Sequence, residues 1–277
     1  MQIKYLGTAA AEGWPALFCE CDNCKRAREG GGRNIRTRSQ ALIDNCILID
    51  FPPDTFSHTL YNGLDLSCIR NCLITHDHSD HLYAEDIGML RKGFAHTGRA
   101  GIFRFFGTSS SGLKISSVID NADLSEDCRA SFTQIRPFES FIVAGYDITP
   151  LEADHSADTF PVIYSIGKGS QTILYANDTG IFPESTWDHL RKSSVVFDFV
   201  SLDCTAGLLE GWRNGHMGLD SNTETANRLK DQGNAGRDTV FCVNHFSHNG
   251  MATYDELIPI AGKAGFIVSY DGMTVDF

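Results

Sequence analysis

The chain has 277 residues, 42% of them hydrophobic and 21% charged, with a net charge of −12 and a pI near 5.2. That length can bury a substantial core as one large or two modest domains. The acidic balance argues against nucleic acid as a partner, because 23 Lys+Arg would have to build a basic face against 35 Asp+Glu; a small anion at a locally positive site stays compatible.

No apolar run approaches the ~20 residues of a membrane span, so no membrane partner is expected. Residues 1–7 read as a first strand without the apolar region or cleavage pattern of a signal peptide, which makes a cytoplasmic protein the expectation. Nine cysteines are an odd number, and with no export signal they read as metal ligands and free buried thiols rather than disulfides. Cys19, Cys21 and Cys24 form CxCxxC, a tight knuckle whose thiolates can converge on one tetrahedral ion and leave a corner open. An iron–sulfur cluster asks for a fourth cysteine, and none lies nearby. The fourth ligand must therefore come from far along the chain.

A short helix over 24–29 should stop at Gly30-Gly31-Gly32, and residues 39–43 and 46–51 read as a hairpin through Asp44-Asn45. A helix then runs from Pro52-Pro53-Asp54 towards Tyr61, with His58 as an ordinary surface or packing residue. Residues 69–75 are apolar and rich in branched side chains, a buried strand that ends in His76-Asp77-His78-Ser79-Asp80-His81. In an extended segment His76 and His78 lie on one side and can grip one metal ion. Asp80 and His81 fall where a helix through Glu85, Leu90 and Arg91 opens, so the turning backbone can aim them at a second ion. HxHxDH arises by chance in roughly one such sequence in a thousand, which favours a metal site over a polar loop.

Residues 93–140 are the least informative, with a strand over 101–107, a helix from Ser109-Ser110-Ser111 to Ile119, a strand over 129–136, and His96 in a connecting loop. A strand over 146–153 ends in Asp154-His155-Ser156, and a hairpin of 161–168 with 171–177 delivers Asp178-Thr179-Gly180. Helices follow over 183–192 and 221–232, separated by an apolar strand over 195–204. His216 precedes the second helix, so its imidazole can stand beside a positive helix end near a bound anion. A strand over 238–243 ends in His245-Phe246-Ser247-His248, two histidines able to face different ions. Thr253 and Glu256 form a capping box for a closing helix, and two short strands over 266–270 and 273–277 finish a single compact domain spanning 1–277.

At HxHxDH the chain resembles the metallo-β-lactamase superfamily. The resemblance implies an α/β architecture, an αββα sandwich of two mixed β-sheets flanked by helices, with a one- or two-metal hydrolytic centre at one edge. Taken with CxCxxC, the isolated His155, Asp178 in Tyr-x-x-Asp-Thr-Gly and the late HxxH, it is similar to the PhnP-type branch, phosphodiesterases that open phosphoribosyl cyclic phosphates. That likeness implies His76, His78 and His155 around one catalytic metal and Asp80, His81 and His245 around the other, with Asp178 bridging. It further implies Cys19, Cys21, Cys24 and His248 around a structural zinc, in a knuckle at about 19–24, and His216 against the substrate phosphate or its leaving oxygen.

The expected activity is hydrolysis of a small, including cyclic, phosphodiester by water activated between two divalent ions, zinc or manganese, with Asp80 orienting that water. The substrate is a small anionic molecule, and a homodimer is compatible. GxSxG is absent, so no serine nucleophile competes. The alternatives are a lactonase or thioesterase of the same fold, or a non-catalytic metal-binding accessory protein resembling the PqqB type.

Overall fold

The computed structural model describes residues 1–97, 101–125 and 129–277. The first sheet contains β1 (Gln2–Gly7), β2 (Gln40–Ile43), β3 (Ile47–Ile49), β4 (Asn71–Leu73), β5 (Phe103–Gly107), β6 (Ala130–Gln134) and β14 (Thr274–Asp276), in the order β14-β1-β2-β3-β4-β5-β6. The second contains β7 (Phe141–Val143), β8 (Tyr146–Glu152), β9 (Val162–Lys168), β10 (Gln171–Ala176), β11 (Phe197–Asp203), β12 (Ala235–Asn244) and β13 (Phe266–Val268), in the order β13-β12-β11-β10-β9-β8-β7. Each sheet is mixed. β3 to β6 are parallel, as are β10 to β13, and the remaining neighbours are antiparallel.

Burial on both faces explains why the central strands read as unbroken apolar runs. In β2 and β3, Ala41, Ile43, Ile47 and Ile49 face the core between the sheets, where they join Tyr164, Ile166, Ile173 and Tyr175. Leu42 and Leu48 point the other way, towards Ile115 and Ile119 of α3 (Ser109–Asn121). The second sheet is covered by α4 (Glu184–Ser193), α5 (Leu219–Asp231) and α6 (Tyr254–Lys263), which bury Trp187, Leu190, Leu229 and Leu257. Each such large side chain contributes about 1.5–3 kcal/mol when fully buried. The layers run helix, sheet, sheet, helix: an αββα sandwich.

The hairpin turn at Asp44-Asn45 takes positive φ at both residues, 47° and 51°, as a two-residue connection requires. Thr253 and Glu256 cap α6 reciprocally. Two local details differ from the sequence reading. Residues Ala84–Leu90 form a 3-10 helix instead of an α-helix, and the short edge strand β7, with two of its three residues not buried, has too little apolar pattern to be seen in advance. His58, in the helix Thr55–Tyr61, is fully buried. Its ring lies between Gln40 Oε1 at 2.6 Å and Thr37 Oγ1 at 2.7 Å.

One edge of the sandwich collects strand ends from both sheets. β3 and β4 finish at Asp50 and at the His76 loop, while β8, β10, β11 and β12, which share one direction, finish at His155, Asp178, Asp203 and His245. Carboxyl ends of parallel strands are where open α/β sheets place their sites. Two bonds pin the sheets together there: Val162 N–H donates to Thr75 O at 2.9 Å and the Tyr164 hydroxyl to Ile74 O at 2.6 Å. Among the described residues no helix is long and apolar enough to cross a membrane.

Candidate metal centre

Two groups of side chains that could each hold a cation meet at this edge and share Asp178. His76, His78, His155 and Asp178 form the first, Asp80, His81, His245 and Asp178 the second, and within each the ligand atoms lie within 4.8 Å of one another. The spacing in HxHxDH works as the extended backbone predicts. His76 Nε2 and His78 Nδ1 are 3.0 Å apart, and His155 Nε2 reaches to 3.2 Å from His78 Nδ1. The turn after His78 then swings Asp80 and His81 to the far side of Asp178, where His81 Nε2 is 3.2 Å from His245 Nε2.

Hydrogen bonds on the outer ring nitrogens decide which nitrogens face inward. His81 Nδ1 lies 2.7 Å from Asp50 Oδ2, a carboxylate that can only accept, so this nitrogen carries the proton. His155 Nδ1 likewise donates to Gly215 O at 3.1 Å. Thr75 gives its hydroxyl proton to Asp50 and therefore receives His76 Nδ1–H at 3.1 Å. His245 Nδ1 lies 2.8 Å from Thr205 Oγ1, whose own proton is shared between Asp203 Oδ2 at 2.9 Å and His245 O at 2.8 Å. In the neutral rings, bare lone pairs of His76, His81, His155 and His245 then converge on one another and on the carboxylates of Asp80 and Asp178. Acceptors so placed repel unless a proton or a cation lies among them. Asp178 Oδ1 shows the same need: it is buried and receives no well-directed hydrogen bond. The donor set is mixed imidazole and carboxylate, suited to zinc or a similar divalent ion, and its outer hydrogen bonds are those that orient metal-binding histidines. The residues present fit a pair of divalent cations.

Charge in the bare cluster is distributed accordingly. Burial, then the neighbouring His81, pushes His76 down to about 4. Burial opposes protonation of His81 too, but Asp80 and Asp50 outweigh it and raise this ring well above the usual range. Burial would also raise Asp178, yet His245 and contacts from His216, His76 and His81 hold its carboxyl well below the normal value. Asp80 is held low in the same way, chiefly by His81 against burial.

His216 stands at the rim, about a quarter exposed, with Nδ1 3.0 Å from Asp178 Oδ1 and hydrogen-bonded to Asp203 Oδ2 at 3.3 Å. Burial opposes its protonation, but Asp203 and Asp178 together raise it to about 11. Asp203 was not among the residues the sequence singled out. It is fully buried, and its oxygens accept Thr205 N–H at 3.0 Å, Met217 N–H at 2.9 Å and Thr205 Oγ1–H at 2.9 Å, with His245 Nδ1 at 3.2 Å. Although Asp203, Asp178, His216 and His245 also come within ligand distance, these donors occupy Asp203, which makes it an orienting group. Asp50 and Thr75 were missed as well. The available signal was an Asp closing an apolar strand, in Leu48-Ile49-Asp50 as in Ser201-Leu202-Asp203.

The knuckle has its distant partner. Cys19, Cys21, Cys24 and His248 gather within ligand distance, with His248 Nδ1 3.3 Å from Cys21 Sγ and 3.6 Å from Cys19 Sγ. α1 (Asp22–Gly30) starts on Cys21, whose sulfur accepts Cys24 N–H at 3.4 Å, and Cys24 Sγ accepts Ala16 N–H at 3.3 Å. Burial acts against the Cys21 thiolate, but the Cys24 N–H and His248 lower it to about 6. Burial raises Cys24 to about 11. Asn23 Nδ2–H donates to His248 O at 2.6 Å, and the Ser247 hydroxyl donates to Glu12, so the His248 end of the His245–His248 segment is held against the N-terminal region.

An αββα sandwich with HxHxDH, a third histidine, a shared aspartate and a late histidine gathered at one edge defines a metallo-β-lactamase-fold protein. The chain belongs to the beta-lactamase superfamily: the family model of its superfamily domain matches residues 45–239. No curated protein matches the sequence. Among solved structures, a diphosphatase of the PhnP family is 20% identical with a TM-score of 0.74, the likeness covering 100% of this chain and 97% of that one. Zinc-bound PqqB from Methylobacterium extorquens is 19% identical with a TM-score of 0.76, covering both chains completely. The short form of human tRNase Z is 15% identical with a TM-score of 0.66, covering 100% of this chain and 99% of that one. Likenesses at these identities establish the fold alone.

Proposed function

We propose that this protein is a metal-dependent hydrolase of a small phosphodiester, cyclic diesters included, of the PhnP type. The observation that carries the reading is the pair of imidazole and carboxylate clusters sharing Asp178, with His216 beside them at the solvent rim. Two divalent cations bound there would supply positive charge to a phosphoryl oxygen and water acidic enough to deprotonate near pH 7. His76, His78 and His155 would hold one and Asp80, His81 and His245 the other, with Asp178 between them. A separate structural zinc would sit among Cys19, Cys21, Cys24 and His248.

The chain's own groups do the rest. Asp80 turns Oδ2 towards His81 at 3.2 Å, so Oδ1 is the oxygen placed to accept a hydrogen bond from the attacking water and orient it. His216 spends Nδ1 on Asp203, so Nε2 is the nitrogen that donates to a phosphoryl oxygen or protonates the leaving alkoxide. Asp203 stabilises the charged ring while it does so.

The cations near the metal loops favour a substrate of low charge. Lys114 is engaged by Asp77 at 2.9 Å and Arg213 is bidentate to Glu224. A diester carries one negative charge at its phosphorus, and two metal ions with one imidazolium suffice for it.

The test is turnover of bis-p-nitrophenyl phosphate and a cyclic phosphodiester by protein loaded with zinc or manganese, beside a lactone and a thioester. Activity on the diesters is expected. Preference for the carbonyl substrates would move the reading to a lactonase or thioesterase, and no turnover of any would leave a metal-binding accessory protein.

A further inference from the structure

The loop that carries His216 is clamped at the residue before it. Gly215 N–H donates to Asp154 Oδ2 at 3.1 Å, and Gly215 O accepts Nδ1–H of His155 at 3.1 Å. Consecutive residues at the end of β8 thus hold both peptide groups of Gly215, one with a carboxylate and one with an imidazole. Gly215 has φ +72°, a left-handed turn that glycine adopts without strain.

Asp154 is itself fixed by the turn that carries Asp178. Its N–H donates to Thr179 Oγ1 at 2.9 Å and its O accepts Gly180 N–H at 2.8 Å, while Ile181 N–H donates to Arg213 O at 2.8 Å. Gly180 lies so tightly in this junction that a Cβ there would stand 2.8 Å from Gly215 N and would run into Asp154 Oδ2 and Arg213 O. Three segments distant in sequence, each bearing a residue of the candidate site, meet at Asp154, whose carboxylate has no salt-bridge partner among the described residues.

We infer that Asp154 is a positioning residue that sets His216 through Gly215, and that Gly180 is required so that the clamp can close. The inference rests on the phosphodiesterase reading for the role of His216, while the clamp itself is a matter of backbone geometry. Without the carboxylate Gly215 itself is held by His155 alone, the loop's other ties lying at Arg213 and Met217, and the His216 ring loses part of its fixed approach to the reacting phosphoryl group. Misplacement of a catalytic group by about 1 Å can cost ~100-fold in rate.

Two measurements decide it. In the metal-loaded protein, Asp154→Ala should lower kcat about 10- to 100-fold with little change in KM, and Asp154→Asn, which keeps an acceptor oxygen, should recover most of it. In a His216→Ala background Asp154→Ala should cost nothing further, because both act through one ring. Losses that add would overturn the inference. Independently of turnover, amide hydrogen exchange at Gly215 should accelerate in Asp154→Ala and in Gly180→Ala, in metal-free and metal-loaded protein alike. Unchanged exchange would also overturn it. If the wild type hydrolyses none of the substrates above, the phosphodiesterase reading falls and the exchange result alone decides the clamp.

Discussion

Asp50 Oδ2 lies 2.7 Å from Nδ1 of His81, with both side chains fully buried, and the same carboxylate receives the N–H and the hydroxyl of Thr75 at 2.8 and 2.9 Å. It therefore orients His81 directly and His76 through Thr75, one histidine from each half of the centre. Asp50→Asn keeps an oxygen for Thr75 but turns an amide N–H towards His81. That reverses the tautomer and points a proton into the cluster. The variant should fold and lose about 10- to 100-fold in affinity for one of the two cations proposed at the centre. Titration against a chromophoric chelator measures this, and wild-type affinity would show that the carboxylate does not set the ring.

Among the described residues no backbone group is hydrogen-bonded to the Asp80 side chain, so its role is separable from folding. Asp80→Ala is expected to abolish phosphodiester turnover while the far-ultraviolet circular dichroism and the unfolding transition of the metal-free protein stay close to wild type. Retained turnover would remove Asp80 from the mechanism.

At the knuckle, Cys21→Ser or His248→Ala should release about one zinc per chain and lower Tm, because a closed tetrahedral site contributes binding energy directly to the folded state. Elemental analysis with thermal unfolding checks both halves. A variant with full metal content would show that the three sulfurs and the imidazole do not share an ion.

His58 supplies a pH dependence of its own, apart from the candidate metal ligands. Burial, against a smaller opposing effect of Asp54, lowers its folded-state pKa to about 4, whereas an unfolded histidine titrates near about 6.5. Between those values the unfolded chain takes up a proton that the folded chain refuses. The His58 contribution is therefore constant above pH ~6.5 and turns destabilising as pH drops towards ~4, by about 3 kcal/mol in all. The His58 ring signals should show no titration midpoint above pH ~5 in an NMR series. A midpoint near the ordinary histidine value would mean that the ring is solvated.

Much of the fold is legible because periodicity and punctuation are local. The apolar runs of β3, β4, β10 and β11, the Asp44-Asn45 turn and the Thr253–Glu256 box each lie within a few residues. The 3-10 character of Ala84–Leu90 and the edge strand β7 were hidden, since packing decides the first and the second is only three residues with little buried.

The amino-acid sequence by itself determined which atoms are available to a metal ion: the imidazoles and carboxylate of HxHxDH, spaced so that strand and turn geometry aims them at two points, and the three thiols of CxCxxC. Only the tertiary structure decided what lies behind those ligands. Asp50, Thr75, Asp203, Thr205 and Asp154 reach their partners across 25 to 61 positions of chain or across short turns with no spacing signature. Asp50, Asp178 and His245 take φ of 67°, 54° and 62°, backbone choices that tertiary packing imposes and no local pattern announces. The ligands are chosen by side-chain chemistry, which is written locally; their orientation depends on contacts between strand ends of two different sheets, which exist only once the sandwich has closed.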